Sequence, residues 1–577
     1  MKRFFAGAIV VAALLYATAE LTLERPPDDG VVRLRWATDP NPARNLQTET
    51  FGKLQVLLKA EDVLDWAALL RRLGASPGGQ GDVVSGRLLE RLDPNAVGAA
   101  AAPQGRADVL ARINAALEQR DLFASEDVEG MDLPPDARLL LDKPPGERTN
   151  VEVVALNRRI LEAALGEALR PARRVEVTVE SGQAEKLIVQ CATGTGPDVI
   201  DVYGINQMLT YVQAGILVDL TPHAAKMGFA PENTYPAIKG NLLVGGRQYR
   251  YPCNVWANCV IYNRKVFDDH GVAYPAEGWT VDDFIRLGKR ILAGAGKSGT
   301  KHLAVANWSS TWMFEDFLLG HGGRYFTPDG LRSRLDAPEA VAAMTLYHDM
   351  MHVHRILPTP AEAAAMSSQG GWGSGGIRWF CDGKAAMIFI GRWLLNRLGS
   401  YPEICPHLGT ARLPRVDGRA SSGQTDCRGA GVNVKSPHRD AALRFLQYLA
   451  GEDYGRLIVK DGDSLPPNPA LARTGEDLVN DTIPDPEFHR PFAEAMGPAR
   501  PIDTSPFIDG GQVARWVTEM IGKIENRLVT PEEGMKALAA EINQRIRTNL
   551  ERRDDLQRTF RQVTGRPYTR DWKHPVK

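Results

Sequence analysis

Gly194-Thr195-Gly196-Pro197-Asp198-Val199-Ile200-Asp201-Val202-Tyr203 reads as a glycine-proline turn that opens into a nearly continuous apolar strand, the kind covered on both faces in a parallel sheet. Upstream, Val153, Leu156, Ile160 and Ala164 recur at helix spacing, and Val175-Glu176-Val177-Thr178-Val179 follows as a strand. Residues 31–38, Val-Val-Arg-Leu-Arg-Trp-Ala-Thr, alternate apolar with polar and are stopped by Asp39-Pro40-Asn41-Pro42. Downstream, helical and strand patterns keep alternating to about residue 460, which implies an α/β architecture with crossover connections. Such sheets bind ligands beyond the carboxyl ends of their strands. The loops after Trp36 and Val202 are therefore the first places to look for a site.

Composition supports a folded, water-soluble chain. The 577 residues are 44% hydrophobic and 24% charged, which excludes a disordered or collagen-like chain and leaves room for several domains with a cleft between them. Basic and acidic residues number 69 and 70, so there is no electrostatic footprint for nucleic acid. At the start, Lys2 and Arg3 precede an apolar run from Phe4 to Ala17, and Ala17-Thr18-Ala19 has the small-x-small form of a cleavage site. Residues 1–19 are expected to be a secretory signal, with an uncleaved membrane anchor as the alternative. Export would place the protein in the periplasm or outside the cell.

Residues 45–149 differ in character. Helical patterns at Val63-Leu64-Trp66-Ala67-Leu70 and Val109-Leu110-Ile113-Leu117 are broken by Ser76-Pro77-Gly78-Gly79 and by proline pairs at 134–135 and 144–145, which suggests an inserted helical region. Near the other end, Val513, Trp516, Val517, Met520, Ile521 and Ile524, then Met535, Leu538, Ile542 and Ile546, mark two amphipathic helices. Residues 551–577 carry eight basic and four acidic side chains and read as a solvated basic tail, with contact to a partner or to phospholipid heads as the alternative. Six cysteines are too few for a disulfide scaffold, and Cys253 and Cys259, held about 20 Å apart by an extended stretch, cannot bridge.

Three short patterns suggest enzymes. Gly296-Lys297-Ser298 lacks the first glycine of a phosphate-binding loop, Ile291 standing in its place, and Ser374 lacks the glycine two residues earlier that a nucleophile elbow needs. His348-Asp349-Met350-Met351-His352 places two imidazoles on one helix face, as in zinc hydrolases, but has Asp where the general base would be Glu and no third ligand. Two partly exposed surface histidines are the expectation; no metal and no cofactor are called for. The aromatics say more. Of 11 tryptophans, Trp256, Trp308, Trp312, Trp372, Trp379 and Trp393 stand in loop-like or glycine-flanked settings, where rings stack on the C–H faces of sugars while Asp, Asn and Arg bond the hydroxyls.

Several segments, in this order, make the chain resemble the extracellular solute-binding proteins of ATP-driven carbohydrate importers, the class that includes maltose-binding protein. They are Thr193-Gly194-Thr195-Gly196-Pro197-Asp198-Val199, Ala214-Gly215-Ile216-Leu217-Val218-Asp219-Leu220, Val260-Ile261-Tyr262-Asn263-Arg264-Lys265-Val266-Phe267, Trp279-Thr280-Val281-Asp282-Asp283-Phe284, Phe380-Cys381-Asp382-Gly383-Lys384-Ala385-Ala386-Met387, and Gly391-Arg392-Trp393. The resemblance covers about 31–44 and 150–550.

It implies a two-lobed, hinged α/β fold of the periplasmic-binding-protein type II class. Lobe 1 would comprise 31–44, 150–253 and 428–470, and lobe 2 would comprise 254–427 and 484–550, with crossovers near 254–258 and 426–430 that make a Cys253–Cys427 bridge conceivable. Carried over position by position, the resemblance puts Asp39 and Asn41 in the loop after the first strand and Tyr203 and Asn206 in the loop after the third. It puts Trp256 and Asn258 at the crossover and Trp393 as a stacking aromatic, with Trp312, Trp372 and Asp426 as further candidates. Arg392 departs from the proline common before that tryptophan, and 45–149 is not a family feature. The implied function is a monomeric, non-catalytic carrier that closes on a carbohydrate and delivers it to a membrane permease of an ABC importer. A ligand-sensing receptor of the same fold and a secreted zinc hydrolase using His348 and His352 are the alternatives.

Overall fold

The structure is a computed structural model that describes residues 31–74, 82–92, 100, 102–172, 174–182, 184–294, 299–306, 310–366, 375–419, 422–572 and 574. The expected leader 1–19, Gly296-Lys297-Ser298, Trp308, Trp372 and Ser374 lie outside the described residues. The chain divides into two units: 31–35 with Asn41–Val179, and Trp36–Pro40 with 180–574.

The first unit is mainly helical. Helices Ala43–Val56, Trp66–Gly74, Arg106–Leu117, Pro135–Asp142 and Asn150–Leu165 enclose a core that includes Leu69, Leu73, Val109, Ile113, Leu117, Ile160 and Leu161. The periodicity at Val109, Leu110, Ile113 and Leu117 is thus realised as one buried stripe. Asn150–Leu165 starts at a capping box: the Thr149 hydroxyl accepts from the Glu152 amide at 3.2 Å, and the Glu152 carboxylate accepts from the Thr149 amide at 2.7 Å. Such a cap stabilises the helix by about 1 kcal/mol. Within this unit the first half of strand β1 (Val31–Ala37) lies beside β2 (Arg174–Glu180), with Arg33 Nε 3.4 Å from Glu176 Oε2.

The second unit holds two larger sheets and a two-stranded one. Strand β1 enters it through Trp36 and Ala37, which pair in parallel with β3 (Val199–Tyr203). A short hairpin of β4 (Leu243–Val244) and β5 (Arg247–Gln248) precedes β6 (Tyr251–Ala257), and β6 runs through Asn258 directly into β7 (Cys259–Asn263). The remaining strands are β8 (His302–Ala306), β9 (Ala385–Ile390), β10 (Leu408–Ala411) and β11 (Thr425–Val432). One sheet has the order β1-β3-β11-β6 and the other β10-β7-β9-β8.

The turn-strand reading around Pro197 is realised in β3, buried from Val199 to Val202. The sheets are nevertheless mixed. Strand β11 runs antiparallel to both β3 and β6, because the chain reaches it only after building the second sheet and re-enters the first from the opposite end. In the second sheet β7 and β9 are buried on both faces: Val260, Tyr262, Met387 and Phe389 join one core, while Cys259, Ile261, Ile388 and Ile390 join another. This is the period-2 split expected of a sheet covered by helices on either side.

The two amphipathic helices near the C-terminus are Gly510–Glu525 and Pro531–Arg552, and their apolar stripes are buried as read from the sequence. The solvated-tail expectation for 551–577 needs correction. Helix Asp554–Thr564 buries Leu556 and Phe560, and the rings of Tyr568 and Trp572 meet Phe560 edge-on at 5.5 and 5.0 Å. His574 Nε2 then lies 3.1 Å from Asp329 Oδ2. Net charge counted over the segment hid four apolar anchors. No disulfide joins Cys253 to Cys427; in the β6–β11 register Cys427 stands opposite Val255.

Candidate functional site

Where β6 and β11 leave the first sheet, Trp256 and Asp426 face each other across the ladder, so their side chains emerge on the same face. The Thr425 hydroxyl donates to the Trp256 carbonyl at 2.5 Å and fixes that end of the pair. Opposite them, helix Ser310–Gly320 presents Thr311, Trp312 and Glu315 on one face, as the helical period requires. Trp312 stacks on Trp256 with ring centroids 4.8 Å apart and planes within 11°. At the end of β3, Gly204 adopts φ +72°, which turns the chain from strand into helix Gly204–Gln213 and leaves Tyr203 half exposed.

These elements enclose a cavity of about 350 Å³, within the usual range of about 300–1,000 Å³ for small-molecule sites. Of the residues expected at the site, the structure brings Tyr203, Asn206, Trp256, Trp312 and Asp426 together on its wall. Glu315, Tyr325, Gln424, Asp503 and Ser505 add further polar groups, with four threonines among the remaining lining residues.

The electrostatics are uneven. Asp426 Oδ1 accepts from Arg250 Nη2 at 2.9 Å and from the Cys427 amide at 2.8 Å, and Oδ2 accepts from Asn241 at 3.3 Å. Burial pushes the Asp503 carboxyl up, against the guanidinium of Arg324 at 3.1 Å. Glu315 is 8% exposed, and its Oε1 accepts from the Tyr325 hydroxyl at 2.8 Å. Burial raises its pKa to about 8 despite that bond. Next to it burial pushes Asp316 up to about 7, while Asn258 Nδ2 and the Gln424 amide each donate to it at 2.9 Å.

The other expected residues take different places. Asn258 is buried behind the wall as the partner of Asp316. Trp393 packs half-buried against the core around Ile390 and Leu394 and does not line the cavity. Asp39 accepts from the Thr38 hydroxyl at 3.3 Å and is likewise absent from the lining. Asn41 belongs to the helical unit, where its Oδ1 accepts from the Ala43 amide at 3.0 Å. Arg392, standing where the resemblance expects proline, is 1% exposed. Its guanidinium donates to the carbonyls of Ser464, Val459 and Leu478 and to His489 Nδ1, so it ties segments of the fold together.

Glu315 and Asp503 escaped the sequence reading. Glu315 sits in the apolar run Met313-Phe314-Glu315-Asp316-Phe317-Leu318, and an acidic residue inside such a run was the available signal. The two histidines of the zinc alternative are otherwise engaged. His348 Nδ1 lies 3.1 Å from Asp349, His352 Nε2 meets the Glu525 carbonyl at 2.9 Å, and Arg527 donates to His352 Nδ1 at 3.1 Å.

Comparison with known proteins fits this geometry. The arabinooligosaccharide-binding protein of Halalkalibacterium halodurans is 24% identical over 48% of this chain, a match spanning 60% of that protein's length. The diacetylchitobiose-binding protein of Streptomyces coelicolor is 23% identical over 65% of this chain and 82% of its own. Among solved structures, an ABC substrate-binding protein of Listeria monocytogenes in complex with cycloalternan superposes with TM-score 0.54 at 21% identity, covering 64% of this chain and 91% of that one. The sugar-binding protein MalE of Xanthomonas citri superposes with TM-score 0.54 at 16% identity, covering 66% and 93%. The profile of one family matches residues 160–456, more than half of the chain. By that match, and by the two-sheet fold its solved neighbours share, the chain belongs to the bacterial extracellular solute-binding protein family.

Proposed function

We propose that this protein captures an oligosaccharide in the Trp256–Trp312 cavity and delivers it, chemically unchanged, to the permease of an ABC importer. The observation that carries the proposal is the stacked tryptophan pair beside carboxylates and amides: flat apolar faces for the C–H side of a pyranose, with acceptors at the rim for its hydroxyls. Tyr203, Asn206, Trp256, Trp312 and Asp426 are the proposed contacts. The sugars named for the relatives, arabinooligosaccharide, diacetylchitobiose and cycloalternan, support the ligand class.

Members of this family act outside the cytoplasm, and the leader-like residues 1–19 support export to the periplasm or beyond. An affinity near micromolar, about −8 kcal/mol, suits capture followed by release. Titration calorimetry across a panel of oligosaccharides tests the proposal, with chromatography of the recovered sugar. Binding with the sugar intact is expected; a cleaved product, or no binding across the panel, overturns it.

A further inference from the structure

The lining of the cavity contains three carboxyl groups, on Glu315, Asp426 and Asp503, and among the described residues no lysine, arginine or histidine. Two of the three are already answered from behind, Asp426 by Arg250 at 2.9 Å and Asp503 by Arg324 at 3.1 Å. Glu315 is different. The groups that face it are the Tyr325 hydroxyl, Asp316 on its own helix, Gln424 on the strand side, and Asp426 and Asp503 around the cavity wall. Among the described residues no cation lies within ion-pair distance of either Glu315 or Asp316, so both are buried acids without a counter-charge.

We propose that the counter-charge is supplied by the ligand: the cavity selects a saccharide that carries an ammonium group, seated against Glu315, over neutral and anionic sugars of the same size. The inference rests on the oligosaccharide reading above. With a neutral guest, or none, the carboxyl keeps its proton and acts as a hydroxyl donor. With an ammonium beside it, the carboxyl gives that proton to solvent and the two charges pair in a dry site, where such pairing is strongest. An anionic sugar finds no lysine, arginine or histidine on the described lining to pair with, because the two nearby guanidiniums are already committed to Asp426 and Asp503.

The test uses the full chain and three disaccharide probes: chitobiose at a pH where its amines are charged, its di-N-acetyl form, and digalacturonate. Titration calorimetry is run in two buffers of different ionisation enthalpy. Expected are at least tenfold tighter binding of chitobiose than of the acetylated form, release of close to one proton with chitobiose only, and no binding of the uronate. In Glu315→Gln the ratio of the two affinities is expected to fall to about one. Equal or tighter binding of the acetylated sugar, absence of proton release, or a ratio that persists in Glu315→Gln overturns the inference and leaves the oligosaccharide reading standing. Failure of every saccharide, neutral maltotriose included, overturns both. The proton count on the unaltered chain decides the matter even if the variant does not fold.

Discussion

Asn206 occupies the space that a side chain on Gly510 would need: a Cβ built there falls 1.8 Å from Asn206 Oδ1 and 3.1 Å from Asn206 Cβ. Helix Gly204–Gln213, which follows the first sheet, thereby approaches the start of helix Gly510–Glu525 across the cavity mouth. The glycine is what allows the approach.

Gly510→Ala is therefore expected to hold the two helices apart. The overpacking costs about 1–3 kcal/mol. Sugar affinity should fall in titration calorimetry, and the denaturation midpoint of the sugar-free protein should fall with it. An unchanged affinity would show that Asn206 relaxes freely.

Trp312→Ala removes one face of the stacked pair and should weaken sugar binding by roughly 1–3 kcal/mol, the range of a truncated aromatic hot spot. Trp393→Ala should leave affinity within a factor of about two, since that ring packs half-buried against the core and off the cavity lining, and should instead lower stability. Calorimetry on both variants separates the two roles.

Burial holds Glu315 and Asp316 protonated in the folded chain up to about 8 and about 7, against ordinary values of 4.5 and 3.8. The folded state thus binds more protons than the unfolded one between those limits, and unfolding free energy falls as pH rises through that window. The stabilisation is complete below pH 3.8 and gone above about 8. Scanning calorimetry should show a steeper decline of Tm from acid to neutral pH in the native chain than in Glu315→Gln.

Asp201 and Arg428 form a buried pair at 2.8 Å, with Trp36 Nε1 donating to the carboxylate at 2.7 Å and Arg428 also donating to Tyr454 at 3.1 Å. Arg428→Met leaves the carboxylate without its cation and should destabilise by about 3–5 kcal/mol. Urea denaturation measures this, and Asp201→Asn combined with Arg428→Met should recover part of the loss.

Phe560→Ala should cost about 3–5 kcal/mol, as for a fully buried aromatic, and expose Trp572 to fluorescence quenchers. A solvated tail would predict no change.

The repeating order of strand and helix, the turn at Gly194-Thr195-Gly196-Pro197 and the apolar stripes of the last two long helices were legible because each depends on residues close in the chain. Local settings also pointed to Trp256 and Trp312, visible one segment at a time, while Asp426 was suggested by the family resemblance. What they could not reveal is which of those residues meet. Trp312 reaches Trp256 only because a helix 56 residues further along the chain docks on the far side of a strand crossing, while Trp393, no less promising in isolation, packs half-buried against a core off the cavity lining. Glu315 became part of the cavity, and lost its easy ionisation, through burial alone. Burial is a property of the whole packing: periodicity fixes which face of an element is apolar, and only the docking of faces distant in sequence decides what each side chain confronts.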